Sequence, residues 1–225
     1  MKIIKTSDVK NHHIFALIVG ASGAGKTTLA STLPHSETLI LSLESGLLSI
    51  KDSDIDVVEI NTFNDLVDVF KFLSNGQNKY KHVFIDSLTE LGEMLFAELK
   101  PNYDKSKNFA LYEDYSEKVV RFLKAMRDMT QYNFWMTCLD KMTEKDFTQV
   151  ITLDLHQKSL SKKIPKLFDE VFYLTVVNKD DEIKRAIVTD NTLIDFAKDR
   201  SGKLNKYEAP NLGNIYNKIF ETEKM

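Results

Sequence analysis

The sequence is poor in cysteine, proline and glycine, and it has no long apolar run. Its 225 residues include 1 Cys, 4 Pro and 8 Gly. The single cysteine, Cys138, excludes an intramolecular disulfide framework and fits a reducing compartment, so we expect it to be a small buried apolar residue. The longest apolar runs, such as residues 14–19, are far shorter than the ~20 residues that span a bilayer, and residues 1–7 lack the apolar stretch of a signal peptide. We therefore expect a cytoplasmic protein with no membrane partner.

A large excess of charge of one sign is also missing. The chain carries 30 Lys+Arg against 33 Asp+Glu, for a formal net charge of −3. This balance excludes the strongly basic surface of many nucleic-acid-binding domains, so any contact with DNA must be local. At this length folding buries roughly 70% of the surface of the unfolded chain, and the core requires neither disulfides nor a structural metal.

Strand-like and helical patterns alternate along the first 140 residues. Continuous apolar runs predict strands, and apolar residues at helical spacing predict helices. The strands are expected at 13–19, 38–43, 57–60, 83–85 and 134–139, and the helices at 26–33, 63–73, 88–99 and 112–129. Buried strands that alternate with helices favour an α/β fold with a mostly parallel sheet flanked by helices.

The last third of the chain has a different pattern. The segments 149–155, 170–177 and 183–188 are β-like, and a short amphipathic helix is expected at 212–220. No linker or repeat separates this part from the rest. We expect one domain over residues 1–225, with a core at 1–140 and an antiparallel β-rich extension at 141–225.

Three of the eight glycines fall within six residues, between a predicted strand and a predicted helix. This segment matches G-x-x-x-x-G-K-[ST] at every fixed position, which is the P-loop of nucleotide-binding proteins. It consists of Gly20, Ala21, Ser22, Gly23, Ala24, Gly25, Lys26 and Thr27, with Thr28 following. Backbone N–H groups of such a loop converge on the β-phosphate, Lys26 is expected to bridge the β- and γ-phosphates, and the Thr27 hydroxyl is expected to bind Mg²⁺. No Asn-Lys-x-Asp guanine signature follows, and the motif alone does not choose the base.

An aspartate ends the apolar run at 82–85. This Walker B pattern predicts that Asp86 holds Mg²⁺ directly or through water. The alternative is that Asp86 caps the next helix.

Hydrolysis also needs a group that orients or deprotonates water. In AAA+ ATPases a glutamate directly follows the Walker B aspartate, but here that residue is Ser87. Glu44 ends the second predicted strand, and the carboxyl ends of parallel strands meet at the nucleotide crevice, so we predict Glu44 as the water activator. The alternatives are that Glu44 is a solvated turn carboxylate or that Glu90, one helical turn past Asp86, has this role.

These motifs together resemble the RecA-like ATPase core. The resemblance is carried by the P-loop, by Leu41-Ser42-Leu43-Glu44 and by Phe84-Ile85-Asp86-Ser87. More narrowly, the chain looks like small phage and prophage ATP-binding proteins, including the Sak-type single-strand annealing ATPases, and the stretches 164–171, 197–202 and 208–212 also fit. The resemblance implies ATP and Mg²⁺ as cofactors, ATP hydrolysis in DNA recombination or single-strand annealing, phage recombination or replication partners, and the cytoplasm of a host cell.

The stretch Ala197-Lys198-Asp199-Arg200-Ser201-Gly202 looks like the Lys-x-Arg-x-Gly segment of RecA-type hexameric helicases. There the two basic residues reach the γ-phosphate bound by a neighbouring subunit. The resemblance implies that Lys198 and Arg200 act catalytically in trans and that the protein forms a homo-oligomeric ring or filament. The alternative is a basic solvated turn.

RecA-like proteins carry a polar γ-phosphate sensor, commonly Gln or His, after the strand that follows Walker B. Here the residues in that position are Thr137, Asp140 and Lys141, none of the usual type. The following segment, 141–166, corresponds to a DNA-binding loop of the RecA core and contains six lysines and three acids together with Phe147 and His156. Lysines beside aromatic rings suit single-stranded DNA, whereas a solvated hairpin is the alternative.

Two other functions remain open from the sequence. One is a DNA-independent ATPase that acts as a switch or loader for a partner protein. The other is a small-molecule kinase, which is disfavoured because the loop expected at 101–111 contains no arginine for a lid over a transferring phosphoryl group.

Overall fold

Strands from both the first 140 residues and the C-terminal third share one sheet. The structure is a computed structural model that describes residues 13–44, 46–104, 108–145, 147–179 and 182–220. The strands are β1 (Phe15–Gly20), β2 (Thr38–Ser42), β3 (Asp56–Glu59), β4 (His82–Asp86), β5 (Asn133–Lys145), β6 (Thr148–Leu153), β7 (Glu170–Lys179), β8 (Glu182–Val188), β9 (Lys198–Asp199) and β10 (Tyr207–Glu208). The helices are α1 (Phe63–Ser74), α2 (Leu88–Leu99), α3 (Asn108–Arg127), α4 (Lys158–Lys163) and α5 (Leu212–Phe220).

The sheet is parallel in its centre and antiparallel at one edge. Its order is β10-β8-β7-β1-β5-β4-β2-β3, with β6 paired to β5 and β9 paired to β7. The pairs from β7 through β1, β5, β4 and β2 to β3 are parallel, whereas β8, β10, β6 and β9 pair in antiparallel fashion. The predicted α/β fold, with a mostly parallel sheet and an antiparallel C-terminal part, is confirmed.

Helices and turns cover both faces of the sheet. Successive residues of a strand point to opposite faces. Phe15, Leu17 and Val19 of β1 therefore pack in a core that includes residues of α1, α2 and α3, whereas Ala16 and Ile18 pack in a second core that includes residues of α5. No helix in the described ranges combines the length and the apolar character that crossing a membrane requires.

The helix predicted after the P-loop differs in type from the expectation. Residues Thr27–Thr32 form a 3₁₀-helix instead of an α-helix. Ser31 Oγ donates to Thr28 O at 2.8 Å, and Thr32 Oγ1 donates to Leu29 O at 2.6 Å. Such bonds from hydroxyls to nearby backbone carbonyls compete with the regular hydrogen bonds of an α-helix.

The remaining boundaries differ from the predictions mostly at element ends. α3 begins at Asn108 instead of residue 112, and β5 continues to Lys145 instead of residue 139. α4, β9 and β10 were not predicted, and the loop expected at 101–111 is in part helical, with residues 105–107 lying outside the described residues.

Candidate functional site

The P-loop surrounds one side of a cavity at the carboxyl edge of the sheet. The cavity has a volume of about 520 Å³, and its lining includes Ser22, Gly23, Gly25, Lys26, Thr27 and Thr28. Gly25 has φ of +101°, a conformation that side chains rarely adopt. At Gly20 a Cβ atom would lie 2.7 Å from the backbone oxygen of Leu174, so β7 can approach β1 only because this position is glycine. The backbone geometry therefore requires glycine at both positions.

Lys26 lies at the centre of the loop. It is 9% exposed, and its Nζ donates to Gly20 O at 2.7 Å and to Ala21 O at 2.9 Å. Burial lowers the pKa of the Lys26 ammonium, although the carboxylates of Asp86 and Glu44 act in the opposite direction. The loop therefore holds the buried Lys26 ammonium where a phosphate group would bind, and the carboxylates of Asp86 and Glu44 are close enough to act on its pKa.

Asp86 connects the loop to the Walker B strand. Its Oδ2 accepts a hydrogen bond from Thr27 Oγ1 at 2.5 Å, and its Oδ1 accepts one from the buried hydroxyl of Thr137. Thr27 and Asp86 thus bring two hard oxygen ligands to one point, as Mg²⁺ requires when phosphate oxygens and waters complete its shell. The residues present fit Mg²⁺. The next helix is capped by the side chain of Ser87, which accepts from Glu90 N, so Asp86 is not the cap of α2.

Glu44 lies two residues after the end of β2, beside the Walker B strand. Its backbone N–H donates to Asp86 O at 3.2 Å, and its Oε1 accepts a hydrogen bond from Ser87 Oγ at 2.5 Å. Ser87 therefore holds the Glu44 carboxylate next to the position where AAA+ proteins carry their glutamate. Glu44 lines the P-loop cavity, whereas Glu90 lines a different one. Burial raises the pKa of Glu90, and the charges of Glu44 and Glu93 add to this.

Comparison with known families matches residues 12–201 to the family described as AAA domain. The chain belongs to the AAA domain family. No curated protein matches it. Among solved structures, the crystal structure of the KaiC-like protein PH0186 from Pyrococcus horikoshii OT3 is similar, with 15% identity, a TM-score of 0.42, and coverage of 78% of this chain and 77% of that chain. The family and the P-loop together make this chain a nucleotide-binding P-loop ATPase domain of mixed α/β fold.

The three candidate sensor residues of this AAA domain all form side-chain contacts within the chain. Thr137 is buried and donates to Asp86. Asp140 accepts from the hydroxyl of Tyr173 at 2.9 Å, and Lys141 forms an ion pair with Asp154 at 3.1 Å. Thr137 thus orients the Walker B carboxylate, a role that its place one strand away from Asp86 could have suggested.

Lys198 and Arg200 of the AAA domain lie away from its own P-loop. Asp199 pairs with Glu170, and Glu170 pairs with Ala16, four residues before Gly20 along β1. Arg200 Nη1 forms an ion pair with Asp169 Oδ1 at 2.5 Å. Burial lowers the pKa of Lys198, and neighbouring Arg200 lowers it further. Neither residue lines the P-loop cavity, so the structure does not bring them to the phosphate site of the same chain.

A carboxylate pair lies beneath this basic turn. Glu170 is buried, and burial together with the adjacent Asp199 raises its pKa to about 8. Burial alone would raise the pKa of Asp199, but hydrogen bonds from Ser201 and from backbone N–H groups outweigh this and lower it. Glu170 is therefore the member of the pair that holds a proton at neutral pH.

The segment 141–166 forms a hairpin followed by a short helix. β5 and β6 pair from Asp140 with Leu153 to Lys145 with Thr148, and Phe147 at the tip is 99% exposed. Four lysines on and after α4 are exposed, with no ion pair among the residues that the structure describes: Lys158, Lys162, Lys163 and Lys166. His156 stacks on Phe96 with ring centroids 4.1 Å apart, so its ring is already packed. The side chain of Lys145 and all of Asp146 lie outside the described residues.

Sequence reasoning missed Ser87 and Arg185 as parts of the site. Arg185 on β8 donates from Nε to Ala24 O at 2.9 Å and lines the P-loop cavity. The register of the antiparallel hairpin sets the position of Arg185 and leaves no motif in the sequence. The contact with Ala24 is therefore visible only in the folded structure. For Ser87, the sequence feature that indicates a place in the site is its position directly after Asp86.

Proposed function

We propose that this AAA domain is a protein of phage type that binds and hydrolyses ATP with Mg²⁺. We propose further that it acts as an oligomer in DNA recombination or single-strand annealing. The observation that carries the proposal is the convergence of Lys26, Thr27, Asp86 and Glu44 at one cavity. A cation for phosphate, two oxygen ligands for a metal ion and a carboxylate for water are the parts that hydrolysis of a nucleoside triphosphate requires.

Each residue has a defined part in this chemistry. Thr27 and Asp86 would hold Mg²⁺, which would supply positive charge that neutralises the phosphate groups. Lys26 binds the phosphate chain, and the P-loop N–H groups orient it. Glu44 accepts the proton of the attacking water, and Ser87 keeps the Glu44 carboxylate in place through the 2.5 Å hydrogen bond.

The oligomeric part of the proposal is supported by the location of Lys198 and Arg200. Lys198 lies on β9 and Arg200 lies on the turn that follows it, where the Arg200 side chain is 56% exposed. Because they are remote from the P-loop of the same chain, a catalytic role requires that they reach the site of a neighbouring copy. A homo-oligomer in which this turn meets the next cavity provides that arrangement.

Contact with single-stranded DNA is supported by the segment 141–166. The exposed ring of Phe147 can stack on a base, and the exposed lysines Lys158, Lys162, Lys163 and Lys166 can contact phosphates. These positive charges lie on one short helix and the turn after it, so they form a local basic surface on a chain of nearly balanced charge.

The test is ATP hydrolysis by the purified protein with and without single-stranded DNA, at low and at higher salt. We expect DNA to stimulate hydrolysis and the stimulation to fade as salt rises, because phosphate contacts release counterions. The triple variant Lys158→Gln, Lys162→Gln, Lys163→Gln should lose the stimulation and keep basal turnover. A control with the same loss of charge, Lys51→Gln, Lys71→Gln, Lys100→Gln, removes exposed lysines elsewhere and should behave as the wild type.

The outcomes separate the functions left open by the sequence. Turnover that DNA does not change would contradict DNA coupling and favour an ATPase that serves a partner protein. Slow turnover with water and rapid turnover with a small acceptor would favour a kinase. Loss of turnover with an unchanged fold in Lys26→Ala is expected in every case, since the P-loop is common to all three functions.

A further inference from the structure

Arg185 lies beside the P-loop, although no motif in the sequence marks it. It is on β8 opposite Val176 of β7. Gly20, the last residue of β1, contacts Leu174 of β7, so the part of β7 after Leu174 continues past the carboxyl edge of the sheet. The β7–β8 hairpin therefore runs alongside the P-loop and carries Arg185 to it.

The contacts of Arg185 leave most of its donors free. Its Nε donates to Ala24 O at 2.9 Å, and the same atom lies 3.5 Å from where a Cβ on Gly25 would be. A guanidinium has five N–H donors, of which four are on the two Nη atoms. Among the residues that the structure describes, these four have no acceptor, and no carboxylate forms an ion pair with Arg185. Arg185 is thus an exposed cation that is anchored to the loop and lines the same cavity as Lys26.

The sheet order indicates which end of a bound nucleotide Arg185 faces. Glu44 and Asp86 follow from β2 and β4, on one side of β1, whereas Arg185 is on β8, on the other side. The γ-phosphate must lie toward Glu44 and Asp86 for water to attack it. The phosphate chain and the nucleoside then extend toward the β7–β8 side, where Leu174, Arg185 and Pro210 line the cavity.

We propose that Arg185 binds the α-phosphate of the nucleotide in cis, with Nε held by Ala24 and the Nη donors pairing with phosphate oxygens. This inference rests on the proposed ATPase function. The planar fork of arginine suits such a double contact, because one edge can remain on the loop while the other binds an anion. The contact is the same with ATP and ADP and does not change during hydrolysis, so it contributes to binding and not to the chemical step.

The test compares Arg185→Gln with Arg121→Gln, a control that removes the same charge from an exposed ion pair on α3. The dissociation constant of Mg-ADP is measured by calorimetry, and KM and kcat are measured for ATP, after equal melting temperatures have shown that both variants fold. We expect Arg185→Gln to raise the ADP dissociation constant and the ATP KM by about tenfold or more, as for the loss of a hydrogen bond to a charged group. We expect kcat to stay within about twofold of the wild type.

Two results would overturn the assignment. A kcat that falls together with affinity would show that Arg185 supports the loop around Lys26 or faces the γ-phosphate. Unchanged ADP and ATP binding would show that Arg185 does not contact the nucleotide. Failure of the proposed function itself looks different, because then the wild type and Arg121→Gln would also bind no nucleotide.

Discussion

At the scale of single residues, this site depends on side chains that hold other side chains. Thr137 and Thr27 occupy the two oxygens of Asp86, and Ser87 occupies one oxygen of Glu44. Such supporting hydrogen bonds fix the geometry of catalytic groups before a ligand arrives. The motifs predicted the candidate residues Lys26, Thr27, Asp86 and Glu44. The hydrogen bonds of Thr137 to Asp86 and of Ser87 to Glu44 belong to no motif, because they join neighbouring strands of the folded sheet.

Replacing Glu44 by Gln should stop hydrolysis without preventing ATP binding. The amide cannot accept the proton of water, so kcat should fall by about 10²- to 10⁴-fold. Ser87→Ala should cause a smaller loss, because the Glu44 carboxylate remains but is no longer held. Steady-state hydrolysis measures kcat, and calorimetric titration measures the binding of ATP.

The matched control for this experiment is Glu90→Gln. Glu90 lies at another cavity, and its amide should leave kcat near the wild-type value. If Glu90→Gln abolished turnover while Glu44→Gln retained it, the assignment of the water activator would be wrong.

Glu170→Gln should change how stability depends on pH. The pKa of Glu170 is raised to about 8 in the folded protein from an ordinary value of 4.5. Between these two values the folded protein holds a proton that the unfolded chain has released, so the contribution of Glu170 to stability is present at low pH and is lost as pH rises toward 8. Gln imitates the protonated form and removes this dependence.

The measurement is denaturant unfolding between pH 5 and pH 8. Glu170→Gln should exceed the wild type in stability by about 1 kcal/mol or more at pH 8, and the difference should shrink toward pH 5. Asp195→Asn, which removes an exposed carboxylate, is the control. A difference that does not vary with pH would contradict the proton held by Glu170.

At the scale of secondary structure, the short 3₁₀-helix after the P-loop is stabilised by α5. Leu212 N donates to Thr32 Oγ1 at 2.9 Å, and Leu212 and Ile215 are buried in the same core as Leu29 and Ala30. A six-residue 3₁₀-helix has little stability of its own. The C-terminal helix therefore helps to position the residues that follow Lys26.

Replacing Gly213 by Ala tests this contact. Helix propensity alone predicts a gain of about 1 kcal/mol for Ala over Gly. However, a Cβ at residue 213 would lie 2.6 Å from the backbone oxygen of Thr32, which cannot move as a flexible side chain would. We expect the clash to prevail, with a loss of about 1–3 kcal/mol in unfolding free energy.

Thermal melting is sufficient to decide whether Gly213→Ala lowers or raises the stability of the protein. A loss of 1 kcal/mol lowers Tm by about 2–4 °C for a chain of this size. Asn214→Ala, at the exposed neighbouring position, is the control and should follow helix propensity. A rise in Tm for Gly213→Ala would show that α5 does not press on the 3₁₀-helix.

The sequence predicted most strands and the long helices because they have clear apolar patterns. β1, β4 and β5 are continuous buried runs in the centre of the sheet, and their parallel pairing follows from the helices between them. α4 has six residues, and β9 has two, which is too short for any periodicity to show. The contact between Arg185 and Ala24 joins residues 161 positions apart and follows only from the completed sheet.

At the scale of the whole molecule, the distance between the basic turn and the P-loop decides how Lys198 and Arg200 can act. Glu170, which pairs with Asp199, is level with Ala16, and Gly20 is four residues further along β1. At about 3.3 Å per residue this separates the two levels by roughly 13 Å. Within one chain, the basic turn and the P-loop are therefore separated along the strands, so the proposed action of Lys198 and Arg200 on a phosphate would require assembly with a neighbouring chain.

Mixing two inactive variants tests assembly directly. Lys26→Ala has an intact Arg200 but a defective P-loop, and Arg200→Ala has an intact P-loop but lacks the finger. Each alone should lose ATP hydrolysis, the second by about 10³- to 10⁵-fold, as when an arginine finger is removed. In a mixture, Arg200 of the Lys26→Ala chain can serve the P-loop of the other variant, so hydrolysis should partly return.

The control is a mixture of Arg121→Gln and Lys26→Ala, which gives the turnover expected when Arg200 is intact in every chain. If the mixture of Lys26→Ala and Arg200→Ala recovers no activity although sedimentation shows that the chains assemble together, Arg200 does not act in trans, and its ion pair with Asp169 is a structural feature of the β9 turn.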